Sequence, residues 1–406
     1  MNTGNNFTTN YSSRTNDLSP QVEEALEPPA PEDAASASVE TPEVPPLPPL
    51  PPRRTLPLTS ADDFAPAGVG PIAAEQALVA TDQRSGLPLT LAALPGQFER
   101  WMGVLRPQML WLSVAPVLVG AATVWLEALG GKVPFHPLSL LALLLAVLAA
   151  HGGANLLNEA YDVLRGTDGQ QALGSRKIIQ KGLLSAESVR RAGLVLLAVG
   201  ALILVILTLV THTWGALVLG GAALLLAYFY SATRYALGYF PLSELIVGFV
   251  MGPALLFSSV QLQGASVSSL AITFALALGA LAAAVILANN LRDLETDRAA
   301  NKRTLVTYFG AQMGRALYLA LILLPYLLVA LVAFQPGKPH ALLLVLLTLP
   351  SLLVAITGSL RAETPAASHL VVEQTVRLHM RFSAWLLVGY LLSMSVVYLL
   401  HLLHIG

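Results

Sequence analysis

From Arg106-Pro107 onward the chain repeats one pattern, an apolar run of about 18–22 residues followed by a short polar joint. At 1.5 Å per residue, that is the length a helix needs to cross a hydrocarbon slab ~30 Å thick. The runs fall at 109–127, 138–159, 192–211, 214–231, 242–262, 270–290, 317–334, 341–359 and 383–402. They predict an all-α, polytopic integral membrane protein with nine transmembrane helices arranged around a central cavity. The third and fourth runs must meet in a tight hairpin at His212-Thr213. Gly248 and Gly252, four residues apart in the fifth run, predict a small-residue notch for close helix packing.

Two of the runs end unlike the others. Asn155-Leu-Leu-Asn158-Glu159-Ala-Tyr161-Asp162 closes the second, and Asn289-Asn-Leu-Arg292-Asp293-Leu-Glu-Thr-Asp297 closes the sixth. Asn155, Asn158 or Glu159, and Asp162 share one helix face, as do Asn289, Asp293 and Asp297. Asp168 follows a turn at Gly166 that can fold it back toward the first stripe. Carboxylates inside a bilayer cost ~2.5–3.5 kcal/mol each at the worst depth, so the clusters demand water, basic partners or a metal. A solvated helix end explains any one of them; it does not explain two matched stripes.

Oxygen-only clusters of this kind suit magnesium, which takes one or two carboxylates, keeps several waters and completes its octahedron with substrate phosphate. Two stripes predict two ions sharing one diphosphate. Arg176, Lys177 and Lys181 follow the first stripe, and Lys302 and Arg303 the second, where charge-assisted bonds to the remaining phosphate oxygens would recruit them. Membrane topology by itself also explains basic joints.

Composition narrows the class. The chain is 55% hydrophobic and 12% charged, which a soluble core does not require, and its net charge of −1 argues against a nucleic-acid partner. With no cysteine, disulfides, thiolate metal sites and a cysteine nucleophile are excluded together. Residues 1–95 read as a disordered leader rich in proline, alanine and glutamate, ahead of a membrane domain spanning 96–406. The leader has neither a basic n-region nor an apolar h-region, so no cleaved secretory signal is expected.

Basic residues crowd the leader and the even-numbered joints, whereas the odd-numbered joints hold only Lys132 and Lys338. This asymmetry predicts a cytoplasmic amino terminus and cytoplasmic stripes in the inner or plasma membrane, with the carboxyl terminus outside. Tyr228 and Tyr230 either line the cavity or anchor the interface. His151, one turn before Asn155, either supports the stripe or acceptor, or is a buried imidazole bonded to a neighbouring carbonyl. His401 and His404 sit at the opposite membrane face from the stripes.

The paired motifs, on the second and sixth of nine helices, resemble the UbiA-type intramembrane aromatic prenyltransferases. The six-residue step Asp162-Val-Leu-Arg-Gly-Thr-Asp168 and the run from Asn289 through Lys302-Arg303-Thr-Leu305 are similar to the branch that alkylates 1,4-dihydroxy-2-naphthoate. Glu159 departs from the aspartate common at that place, a change that either shifts the ion or leaves Asp162 and Asp168 as the main ligands of the first motif. The resemblance implies a lipid-embedded enzyme that binds polyprenyl diphosphate through magnesium held by Glu159, Asp162, Asp168, Asn289, Asp293 and Asp297. It implies substrate contacts from Asn155, Arg176, Lys177, Lys181, Lys302, Arg303, Tyr228 and Tyr230, and catalytic roles for Asn158, Asp162 and Asp293. The reaction implied is transfer of the polyprenyl group to an aromatic acid, with loss of carbon dioxide in the naphthoate branch. Other acceptors fit the same motifs, among them 4-hydroxybenzoate, homogentisate or a tetrapyrrole. A transporter fits less well, because its polar sites would lie near the bilayer midplane.

Overall fold

A computed structural model of the chain describes residues 96–129, 134–165, 176–233, 236–336 and 339–402. The leader, Asp168, the side chains of Arg176 and Lys177, and those of His401 and His404 lie outside the described residues.

The described chain is helical. Short α1 (Gln97–Leu105) leads into α2 (Pro107–Leu129), α3 (Pro137–Leu164), short α4 (Arg176–Gln180), α5 (Ala186–Thr211) and α6 (Trp214–Ser231). Next come α7 (Ser243–Phe249), a π turn at Val250–Ala254, α8 (Leu255–Leu262), α9 (Ser269–Arg292) and short α10 (Leu294–Ala299). The chain continues as α11 (Leu305–Ala333), a 3-10 stretch at His340–Thr348, α12 (Leu349–Arg361) and α13 (Pro365–Leu402). Side-chain caps start three of the long helices: Ser185, Ser268 and Thr304 accept from the amides of Ser188, Ala271 and Thr307. His212 ends α5 in the left-handed region at φ 55°, which makes the tight hairpin into α6.

Among the described residues eight helical segments are long and apolar enough to cross a membrane, against the nine expected. Six begin within three residues of an apolar run; α5 begins six residues and α11 twelve before theirs. The final helix extends well beyond the predicted 383–402, and its first half carries Glu373, Arg377 and Arg381.

Packing follows a circuit. α3 packs on α5, α5 on α6 and α6 on α8; α7 and α11 flank α9; the 3-10 stretch joins α11 to α13; and α13 meets α2, which returns to α3. α9, rich in alanine, is apolar on every face and accordingly the most enclosed span, touching α2, α7, α11 and α13. Its Gly279 meets the predicted notch. A Cβ there would lie 2.4 Å from the Gly248 carbonyl oxygen, and one on Gly252 would lie 2.3 Å from that of Ala275. These helix backbones therefore touch, as small residues allow. Pro253 has no N–H to donate, and the helix widens there into the π turn.

The two acidic ends differ in backbone. α3 remains helical to Leu164, past the end of its apolar run, so Asn155, Asn158 and Asp162 keep one face. α9 stops at Arg292. Asp293 is its cap, with ψ turned to 8°, and Asp297 belongs to α10, its amide bonded to the Asp293 carbonyl at 2.8 Å. The second stripe is bent rather than straight.

Candidate active site

Both stripes face one cavity of about 170 Å³. Asn155, Asn158 and Asp162 line it from α3, Asn289 from α9, and Asp293 and Asp297 from beyond the end of α9. Lys302 joins the two sets, its Nζ 3.2 Å from Asp297 Oδ1 and 4.0 Å from Asp162 Oδ1. The carboxylates that compositional reasoning left uncompensated thus share an ammonium in a site where all three side chains are at most 10% exposed.

The supports of Asp162 come from distant parts of the chain. Tyr239, in the turn after α6, donates its hydroxyl to Oδ1 at 2.9 Å, and Asn158 Nδ2 donates to Oδ2 at 3.3 Å. Ser231, the last residue of α6, donates to Asn158 Oδ1 at 2.9 Å and so fixes that amide's orientation. Tyr239 is held in turn by Arg165, whose guanidinium lies 5.1 Å from its ring and from that of Tyr161 while Nη2 donates to the carbonyls of Ser231 and Thr233. Lys302 sits 4.6 Å over the Tyr239 ring.

Asp293 is held differently. Arg292 grips it through two bonds, Nε to Oδ1 at 2.8 Å and Nη2 to Oδ2 at 2.6 Å. His369 Nδ1 lies 3.3 Å from the same guanidinium, at Nη1. Asn289 donates Nδ2 to the Val285 carbonyl at 3.1 Å, and its buried Oδ1, in the cavity wall, has no hydrogen-bond partner among the described residues.

Several predicted residues fall elsewhere. Glu159 is not among the carboxylates lining the cavity: it is fully buried and ion-paired with Arg106 at 3.2 Å, and it is Arg106 that lines the cavity. On a helix, i+4 from Asn155 is not the same direction as i+3 and i+7, and Glu159 occupies the adjoining face. Lys181 is exposed after α4, and Arg303 is exposed too, though its amide bonds to the Tyr239 carbonyl at 3.0 Å and so sets Lys302 beside that ring. Of the two tyrosines, Tyr230 lines the cavity whereas Tyr228 stacks edge-on with Phe229 and is partly exposed.

Other participants were missed. Tyr239 and Ser231 act through contacts that no periodicity reveals. Glu244 sits inside an apolar run, where an isolated buried carboxylate is itself a signal. It accepts from Asn290 Nδ2 at 2.8 Å and from Ser243 Oγ at 2.9 Å, and Asn290 lines the cavity.

A second cavity, of about 70 Å³, adjoins it, with His151, Ala154, Ala227, Val250 and Met251 lining both. Leu143, Val147, Leu204, Leu224 and Leu255 give that extension an apolar wall. A charged chamber thus lies directly beside a hydrocarbon-lined one.

Residues 113–383 match the model of the UbiA prenyltransferase family. The chain belongs to that family. Like its other members it is a prenyltransferase, and its apolar helices make it a multi-pass membrane protein. It is 33% identical to the 1,4-dihydroxy-2-naphthoate octaprenyltransferase of Mycobacterium tuberculosis over 55% of this chain and 75% of that one. To the enzyme of the same name from Escherichia coli it is 31% identical, over 55% of this chain and 73% of that one. Its fold is similar to that of a UbiA homolog from Archaeoglobus fulgidus bound to GPP and Mg2+, with a TM-score of 0.50 at 17% identity over 73% of this chain and 99% of that one.

Among the described residues no three acidic or histidine side chains close into a metal cage. Magnesium does not require one, since one or two carboxylates with water and substrate phosphate suffice. The unpartnered Asn289 oxygen beside Asp293, and the oxygen-only donor set around it, fit that ion.

Proposed function

We propose that this UbiA-family chain transfers a polyprenyl group from polyprenyl diphosphate to 1,4-dihydroxy-2-naphthoate, with loss of carbon dioxide, as a step of menaquinone biosynthesis. The observation that carries the reading is Lys302 bridging Asp162 and Asp297 in a cavity that adjoins an apolar-walled one. A diphosphate with a hydrocarbon tail has this same division. The two named relatives support the choice of acceptor.

Asp162, Asp293, Asp297 and Asn289 would hold magnesium, two ions in this reading, with Asp168 completing the first set. When bound, magnesium neutralises charge on the diphosphate so that the allylic carbon–oxygen bond can ionise. Lys302 and Arg106 supply positive charge to the phosphate oxygens, and Asn158 holds Asp162 in its orientation. The Tyr230 ring borders the region where positive charge develops on the allylic carbon, and its π face favours that charge. Apolar walls from α3, α5, α6 and α8 keep water from the cation and receive the tail.

α13 is the ninth span in this account, and the basic joints orient the chamber toward the cytoplasm. The test is to incubate membranes containing the full chain with one radiolabelled polyprenyl diphosphate, magnesium and a panel of aromatic acids. Alkylation of 1,4-dihydroxy-2-naphthoate with release of carbon dioxide is expected. Preferred alkylation of 4-hydroxybenzoate, homogentisate or a tetrapyrrole would reassign the acceptor, and no alkylation of any would overturn the reading.

A further inference from the structure

His151 has no place in the chemistry above, yet it stands where the charged and apolar chambers meet and lines both. Its Nδ1 lies 2.8 Å from Ser113 Oγ. Ser113 in turn donates its hydroxyl hydrogen to the Leu110 carbonyl at 2.8 Å, so in that bond the serine oxygen can only accept. The imidazole hydrogen is therefore on Nδ1, and a neutral ring of that tautomer leaves Nε2 as a lone pair. Nε2 has no hydrogen bond among the described residues. Ser258, the other serine bordering the apolar chamber, donates to its own helix, to the Ala254 carbonyl at 2.7 Å.

A lone-pair nitrogen bordering the cavity can take a donor from whatever fills it, and once desolvated by that occupant it would cost about 1–3 kcal/mol to leave unpaired. The two substrates of the proposed reaction differ in this respect. An ionised polyprenyl diphosphate offers phosphate oxygens and hydrocarbon, none of which donates. A hydroxylated aromatic ring offers an O–H. Magnesium, as a hard cation, prefers oxygen to an imidazole nitrogen.

Depth along α3 agrees. Asp162 lies eleven residues from His151, ~16 Å along the helix, while Asn155 lies one turn away, ~6 Å. A diphosphate held at Asp162 and Asn158 puts its first allylic carbon toward Asn155, one turn short of the imidazole.

Resting on the reading of the function above, we infer that His151 is the acceptor-recognition residue: Nε2 accepts a hydrogen bond from a hydroxyl of the aromatic acceptor and holds the ring against the allylic carbon. Ser113 is its positioning residue, fixing the tautomer. Accepting that bond also leaves the ring more electron-rich at the carbons conjugated with the hydroxyl.

The experiment measures KM separately for each substrate with the purified full chain in lipid nanodiscs, using 1,4-dihydroxy-2-naphthoate and a polyprenyl diphosphate, alongside magnesium-dependent retention of the radiolabelled diphosphate. His151→Leu should raise the acceptor KM about tenfold or more and leave the diphosphate KM and its retention within about twofold. His151→Gln, which restores an acceptor oxygen near the place of Nε2, should recover the acceptor KM to within about threefold of the parent. An unchanged acceptor KM in His151→Leu, or equal rises for both substrates, would overturn the assignment. If His151→Leu no longer retains the diphosphate, Ser113→Ala decides: a rise of about threefold in acceptor KM alone supports the inference, and none defeats it. A parent chain that retains diphosphate but alkylates no hydroxylated acid fails the functional reading itself, which separates that failure from one confined to His151.

Discussion

The two acidic helix ends do the same electrostatic task with different construction. At the end of α3, Asp162 stays on an unbroken helix and accepts from two neutral donors, Tyr239 and Asn158, with Lys302 at 4.0 Å. Beyond α9 the helix breaks, and Asp293 and Asp297 are each matched to a cation, Arg292 and Lys302. Neutral donors position a carboxylate without cancelling its charge, whereas a guanidinium or ammonium cancels it as well. Lys302, within 4.0 Å of Asp162 and 3.2 Å of Asp297, ties the two ends together electrostatically.

That contrast can be broken by substitution. Asp162→Ala should have the largest effect, lowering prenyl transfer on the order of a thousandfold or more while the protein still inserts, as measured by turnover in membranes against immunodetected protein. Asp293→Ala should follow closely, but with Arg292 released as a free cation beside the site. Wild-type turnover in either variant would remove the metal assignment.

Lys302→Met should come next. Losing a charge-assisted contact worth about 1.5–3 kcal/mol corresponds to about a 10- to 150-fold fall in kcat/KM for the diphosphate. Because the variant also leaves Asp162 and Asp297 without their shared cation, half-saturating magnesium should fall rather than rise. A higher magnesium requirement would mean that Lys302 supports metal binding instead of standing in for it.

Glu159→Gln sharpens the comparison from outside the cavity. If Glu159 serves Arg106, the substitution should weaken diphosphate binding about tenfold without altering the magnesium response, and adding Arg106→Met should cost little more, since contacting residues are non-additive. A changed magnesium response would return Glu159 to the ligand set. Smallest of all, deleting residues 1–90 should leave turnover within about twofold, measured on membranes normalised for protein.

Much of this was legible before any coordinates. Run length located the eight spans, and spacing put Asn155, Asn158 and Asp162 on one face, because both follow from helix geometry alone. What escaped depends on pairing across the fold. Nothing local marks Tyr239 as the donor to Asp162, since the turn that carries it is placed by Arg165 and by the Arg303 amide. Glu159 lies next to Asn158 in sequence yet pairs with Arg106, because one residue of helix turns a side chain by about 100°. The break at Asp293 was hidden by a spacing that suits a straight helix equally well.

The central claim is that both helix ends hold one diphosphate together. Magnesium-dependent binding of a radiolabelled polyprenyl diphosphate to the full chain, compared among the parent, Asp162→Asn and Asp297→Asn, tests it most directly. The account predicts that either substitution alone removes most of the magnesium-dependent binding and that combining them removes little more. Binding that survives the loss of either carboxylate, with additive losses when both are changed, would contradict it.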